Sequence, residues 1–211
     1  MYDLHIHSSY SDGNANVEEI ARRAKEMGMR AIAIVDHSIE LYFGLTEAKA
    51  RQRELDIENA ASLYGIKIYS GIECSIDAAG EIVLPDWDFD FVIASVHEIV
   101  YGRDYYDRVL KCIEKHDVDV IGHPFSRLFG FNNPLPDMDE RLLDVLEETG
   151  IAIELNSSHR SPPESFLEMC RDRKLNYSIG SDAHVLEKVG DVGWSLENAK
   201  KYMTRAKMFV P

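Results

Sequence analysis

The stretch AIAIVDHS, residues 31–38, is almost unbroken Ala, Ile and Val until it ends in Asp36 and His37. A strand with one wet face alternates apolar and polar side chains, whereas a strand covered on both faces reads as a continuous apolar run. The second pattern belongs to parallel sheets with crossover helices on their faces. FVIASVHE, residues 91–98, repeats it and again carries a histidine near its end, His97. Outward from these two, strand-like segments alternate with longer segments of helical period. YDLHIHS precedes VEEIARRAKEMG, AIAIVDHS precedes TEAKARQRELDIENAASLYG, and FVIASVHE precedes YYDRVLKCIEKH. VDVIGHP, IAIELNSS and NYSIGSDAH lead likewise into DERLLDVLEETG, PPESFLEMCRDR and SLENAKKYM. Strand then helix, repeated, predicts an α/β fold with a parallel sheet.

Punctuation agrees. Gly28, Gly65 and Gly150 fall where helices should stop, and Pro162 and Pro163 where one should start. Only the third strand, KIYSGIECSI, lacks a helix after it; DAAGEIVLPDWDFD reads instead as a small hairpin around Ala79 and Gly80. Seven such strands predict a closed, distorted TIM-like (β/α)7 barrel in preference to an open sheet. With no linker or low-complexity tract, residues 1–211 are expected to form a single domain.

The chain has 211 residues, 45% hydrophobic and 28% charged, enough to bury a substantial core. Its formal charge of −14 excludes a broad nucleic-acid-binding surface, because phosphate-backbone affinity comes largely from clustered Lys and Arg, but leaves room for a local phosphate site. No basic, apolar leader and no run of about 20 apolar residues is present, so a cytoplasmic protein without membrane contact is expected. Cys74, Cys112 and Cys170 are odd in number and far apart, which fits neither a disulfide framework nor a Cys-x-x-Cys knuckle.

In a parallel α/β barrel the loops at the C-terminal ends of the strands share one mouth. On the first strand Asp3, His5 and His7 are expected to share one face, with Leu4 and Ile6 on the other. The remaining ends carry Asp12 in the first turn, His37, Glu73, His97, His123, and Asp182 with His184. Six of eight histidines therefore sit at strand ends, leaving His116 near a helix C-terminus and His159 just past the sixth strand. Gathering so many rings and carboxylates without a cation would bury charge and unpaired acceptors. Imidazole and carboxylate without thiolate suit zinc, manganese or iron, and nine donors exceed the about four to six that one ion accepts, so two to three divalent transition metals are expected. Asp36 and Glu98, beside His37 and His97, are read either as partners that orient ring nitrogens or as plain polar strand ends.

The segments DLHIHSSYSDG, IVDHS, GIE, SVH, GHP and GSDAH, in that order and spacing, resemble the PHP family, named for polymerases and histidinol phosphatases, over nearly the whole chain. The resemblance implies a distorted seven-stranded barrel with a trinuclear metal centre, often zinc, manganese or iron, at its C-terminal mouth. It implies that His5 and His7 hold one metal with Glu73 and Asp182, and that Glu73 bridges to a second held by His97 and His123. Asp12, His37 and His184 would hold the third, with Glu73, Asp182 and His184 also acting in catalysis. Some relatives have His where this chain has Asp12, which exchanges one ligand type for another. No ligand position is lost, which favours an active enzyme over polymerase-associated members that have shed catalysis.

Hydrolysis by metal-activated water needs no Ser or Cys nucleophile, and no Gly-x-Ser-x-Gly elbow is present. The expected activity is a phosphomonoesterase on a small phosphorylated metabolite of the histidinol phosphate kind. Arg160 and Arg127, in loops at the mouth, are expected to bind substrate phosphate. The alternatives are a phosphodiesterase or exonuclease on nucleotides or short single strands, for which Phe125, Phe129 and Phe131 would offer stacking, and a non-catalytic metal-stabilised partner-binding module.

Overall fold

In the computed structural model, which describes residues 1–130 and 134–211, the apolar run is strand β2, Ala31–His37, buried along its whole length. It lies between β1, Tyr2–Ile6, and β3, Lys67–Ser75, and the sheet continues through β4 (Phe91–Ser95), β5 (Val120–Ile121), β6 (Ala152–Asn156) and β7 (Asn176–Gly180). All neighbours are parallel and follow sequence order. The connections carry α1 (Val17–Glu26), α2 (Glu47–Tyr64), α3 (Arg103–Lys115), α4 (Pro136–Thr149), α5 (Glu164–Cys170) and, after β7, α6 (Gly193–Tyr202). The seven strands read from the sequence are joined by an eighth, β8 (Lys207–Met208), too short at two residues to show a period.

The sheet curls until its first strand meets the chain beyond its seventh. Asp182 donates its backbone N–H to His5 O at 2.9 Å, and His7 donates to Ala183 O at 3.0 Å. β8 instead pairs with the start of β7, through Asn176 with Lys207 and Tyr177 with Met208. The two ends of β7 therefore have different neighbours.

Apolar side chains on β2 separate by parity: Ala33 and Val35 join the cluster that also holds Ile93 and Val120, while Ile32 and Ile34 pack with Ile20 and Ala24 of α1. β1 departs from the strict alternation expected of it. Its register against β2 slips by one residue between Asp3 and Ile6, so Leu4 joins the first cluster and Ile6 the second. A bulge re-aims side chains in this way, and here it lies beside the first two histidines.

Helix stops follow the sequence. Gly65 and Gly150 are left-handed C-caps, with φ of 58° and 76°, where a residue with a Cβ would be strained. The hairpin expected near Ala79 and Gly80 is one turn, closed by Ala79 N–H and Glu81 N–H on the Asp77 carboxylate, and residues 76–90 contain no strand. The Val83 carbonyl, which a hairpin partner would have used, accepts from the Ser38 hydroxyl instead. All three cysteines are free and buried, and among the described residues no helix is long and apolar enough to cross a membrane.

Candidate metal centre

Glu73 lies in the buried part of β3, in register with His37, and its side chain is 1% exposed. Its two oxygens face different groups. Oε2 lies 3.5 Å from both His5 Nε2 and His7 Nε2 and 3.1 Å from His37 Nδ1. Oε1 lies 3.3 Å from His97 Nε2 and 3.1 Å from His123 Nε2, and accepts from Ser95 Oγ at 2.6 Å. Asp182 Oδ1 is 3.3 Å from His7 Nε2 and 3.5 Å from His184 Nδ1. Asp12, in the exposed turn after β1, sets Oδ1 3.6 Å from His7 Nδ1 and Oδ2 3.6 and 3.4 Å from the Nε2 atoms of His37 and His184. All nine expected donors thus converge at the C-terminal mouth.

The structure adds residues that strand ends alone do not reveal. His159 Nε2 lies 3.1 Å from Asp182 Oδ2, so seven of the eight histidines belong to the cluster. His116 alone stands apart, against Glu81. Strand β6 contributes Glu154, whose Oε1 is 2.7 Å from His5 Nδ1 while Oε2 accepts from His123 N–H at 2.6 Å. Ser75 Oγ lies 2.8 Å from His97 Nδ1, and Ser126 Oγ 2.5 Å from His159 Nδ1. These contacts occupy the outward nitrogens and turn the other nitrogen of each ring toward the cluster, as the outer partners of metal-binding histidines do. An acidic residue inside the apolar strand IAIELN was the available signal for Glu154. Asp36 and Glu98 do not take this role: Asp36 is bound by Ser8, Ser11 and Arg53, and Glu98 pairs with Arg108 on the surface.

Charge in the cluster is strongly polarised. Burial would raise the carboxyls of Glu73 and Asp182, but for Glu73 the rings of His97, His5 and His37, and for Asp182 His5 and His159, hold them well below the usual range. Burial, with the neighbouring His7 and His97 rings, pushes His37 down to about 4 against the pull of Glu73. His37 is therefore neutral near pH 7, the form in which imidazole binds a cation. Backbone strain collects at the same place: His123, Phe125, Arg160 and Asp182 have positive φ (23°, 63°, 50° and 54°), although none is glycine. Such conformations cost about 1–3 kcal/mol each and persist where surrounding contacts fix them.

Gly180 lets two of these residues approach. A Cβ there would stand 2.3 Å from Glu154 Oε1 and 2.6 Å from His5 Cβ. Gly180→Ala is expected to push Glu154 off His5 and weaken metal binding by about 10- to 100-fold, the usual effect of losing an outer partner. Chelator competition measures this; unaltered affinity in a folded variant would show that Glu154 does not set the ring.

Arg127 and Arg160 are exposed and line one cavity of 450 Å³ together with His159. Phe125 is 2% exposed and packs in the core against Phe166, whereas Phe129 lies edge-on to His97 and near His123. Phe131 falls outside the described residues.

A sequence model of the PHP domain matches residues 3–158. The DNA polymerase/3'-5' exonuclease PolX of Bacillus subtilis is 29% identical over 97% of this chain, which spans 38% of the length of PolX. A Thermoanaerobacter protein named a probable phosphatase is 30% identical, covering 90% of this chain and 81% of its own. Among solved structures, the histidinol phosphate phosphatase of Lactococcus lactis, in complex with zinc, L-histidinol and phosphate, has the same fold. Its TM-score is 0.71 at 19% identity, covering 98% of this chain and 95% of that one.

Proposed function

The chain belongs to the PHP family, and from that premise we propose that it is a metal-dependent phosphoesterase acting on phosphate monoesters of small metabolites, of the histidinol phosphate kind. The observation that carries the reading is Glu73, a buried carboxylate with one oxygen toward His5, His7 and His37 and the other toward His97 and His123. A carboxylate can bind a cation through each oxygen, whereas a neutral imidazole has one free acceptor. The donors fit divalent transition metals: there is no thiolate among them, and His7 Nδ1 and His37 Nδ1 are buried without a hydrogen-bond partner.

In this reading His5, His7, Glu73 and Asp182 hold one ion, Glu73, His97 and His123 a second, and Asp12, His37 and His184 a third, zinc, manganese or iron in each case. His159 supplies a further nitrogen on the Asp182 side. When bound, such ions neutralise charge on the phosphoryl oxygens and make water acidic enough to attack near neutral pH. Glu73 and Asp182, kept ionised, set the spacing of the rings around the phosphoryl group. His184, with a side chain 39% exposed, stands at the open edge of the cluster beside Asp12, within reach of the reacting group. Arg127 and Arg160 add positive charge that metals deep in the mouth do not provide there. A monoester, with two negative charges and one substituent, suits such a mouth better than a diester, which brings one charge and must fit a second substituent.

Likeness to PolX favours phosphodiester hydrolysis as the second reading, with Phe129 as a stacking surface beside His97. Metal analysis joined to rates on p-nitrophenyl and bis-p-nitrophenyl phosphate, with added Mn and Zn, separates the two. The expected result is two to three ions per chain and faster monoester turnover. Faster diester turnover, or digestion of oligonucleotides, would select the second reading; a metal-loaded protein inert to both would be a binding module.

A further inference from the structure

We propose that the alcohol part of the substrate carries a second anionic group, held by Arg127 and Arg160 in the cavity that opens beside His159. The inference rests on the phosphomonoesterase reading and narrows it to small monoesters with an anionic alcohol part, in place of an amino alcohol such as histidinol. The cavity measures 450 Å³, within the range of small-molecule sites and larger than a phosphoryl group requires. Arg127 and Arg160 line it with His159, Leu167, Trp194 and Asn198. His159 borders both regions: it lines the cavity, and its Nε2 lies 3.1 Å from Asp182 Oδ2, which sets the cavity next to the cluster.

The cavity is cationic by construction. The chain has 37 acidic residues against 23 Lys and Arg, yet neither Arg127 nor Arg160 pairs with a carboxylate among the described residues. Glu164 also lines the cavity, but its Oε1 already accepts from Lys201 Nζ at 2.9 Å and from the Tyr202 hydroxyl. The two arginine-bearing loops are tied together. Ser161 Oγ donates to Pro124 O at 2.8 Å, Ser126 Oγ lies 2.5 Å from His159 Nδ1, and His159 N–H donates to Asn156 Oδ1 at 3.0 Å. Arg160 itself is fixed at φ 50°. Two guanidinium groups on braced loops recognise carboxylate or phosphate oxygens and repel an ammonium group. Trp194 and Leu167 give the carbon skeleton an apolar wall.

Benzyl phosphates with a 4-carboxylate, 4-methyl or 4-aminomethyl group test this, because the substituent changes charge while the reacting oxygen stays alike. For the metal-loaded protein kcat/KM should fall in that order, with the carboxylate at least about tenfold above the amine, the scale of one charge-assisted bond. In Arg127→Gln/Arg160→Gln the ratio should collapse toward one; a merely structural role would lower all three rates and leave the ratio standing. Calorimetry gives a readout free of turnover: 4-(hydroxymethyl)benzoate should bind more tightly than 4-methylbenzyl alcohol, and the double variant should lose the difference. Equal rates on the three esters, a preference that survives in the double variant, or equal binding of the two alcohols would overturn the proposal. Should no ester be turned over, the phosphomonoesterase reading fails, and calorimetry alone then decides whether the cavity takes an anion.

Discussion

Glu73→Gln is expected to strip the protein of most of its metal and to abolish hydrolysis with it. The substitution preserves shape and removes one property, the ability to face cations on two sides. An amide has one accepting oxygen and an NH2 group that can only donate. Ser95 Oγ, 2.6 Å from Oε1, will hold the amide oxygen on the His97 and His123 side, which turns the NH2 toward His5, His7 and His37. The loss of affinity should exceed the roughly 10- to 100-fold that follows removal of a ligand's outer partner. Elemental analysis after dialysis reads it directly, and full metal content in the variant would show that Glu73 bridges nothing.

Arg53→Met is expected to cost about 3–5 kcal/mol of folding stability, the range for breaking one half of a buried ion pair. Arg53 projects from α2 and is fully buried; Nη1 donates to Asp36 Oδ2 at 2.9 Å, and Nη2 donates to Gly71 O at 2.7 Å and Ser70 Oγ at 3.1 Å. Without it the Asp36 charge is left inside, holding Ser8 N–H and the hydroxyls of Ser8 and Ser11. Urea titration measures the loss, and Arg53→Met/Asp36→Asn should recover part of it. The pH dependence follows in sign. Burial raises the Asp36 carboxyl, but Arg53 outweighs burial and holds it below its ordinary value. Its contribution is therefore full above the unfolded value of about 3.9 and fades as pH falls through the lower folded value. In the single variant burial is no longer opposed by Arg53, so acid unfolding should begin at higher pH.

The sequence made the barrel and most of the cluster legible because strand ends are defined positions. A strand that is apolar until its last two residues, as in AIAIVDH, aims its final residue at the shared mouth. His159, three residues past the end of β6, escaped because no motif marks it, as GSDAH marks His184 four residues past the end of β7. Arg53 escaped for the opposite reason: an arginine amid the charged residues of α2 reads as solvated, and only the packed structure sends it inward to Asp36. Glu154 was hidden in an apolar strand, and the bulge in β1 left no mark in its alternation. What the sequence leaves dark is side-chain traffic between elements far apart in the chain.

The seam where β1 meets the chain beyond β7 joins residues made far apart in time. Ser181 donates its side-chain hydroxyl to His5 O across a separation of 176 residues. At a ribosomal pace of about 5–20 residues per second, the first pair of histidines waits roughly 10–35 s for the strand that completes their surroundings. Contacts of such long range form late, because the chain entropy of closing so large a loop is lost before they repay it. On the proposed assignment, an ion at His5 and His7 would lack Asp182 during that wait. Selection among metals would then be deferred until the chain beyond β7 brings Asp182 to the cluster.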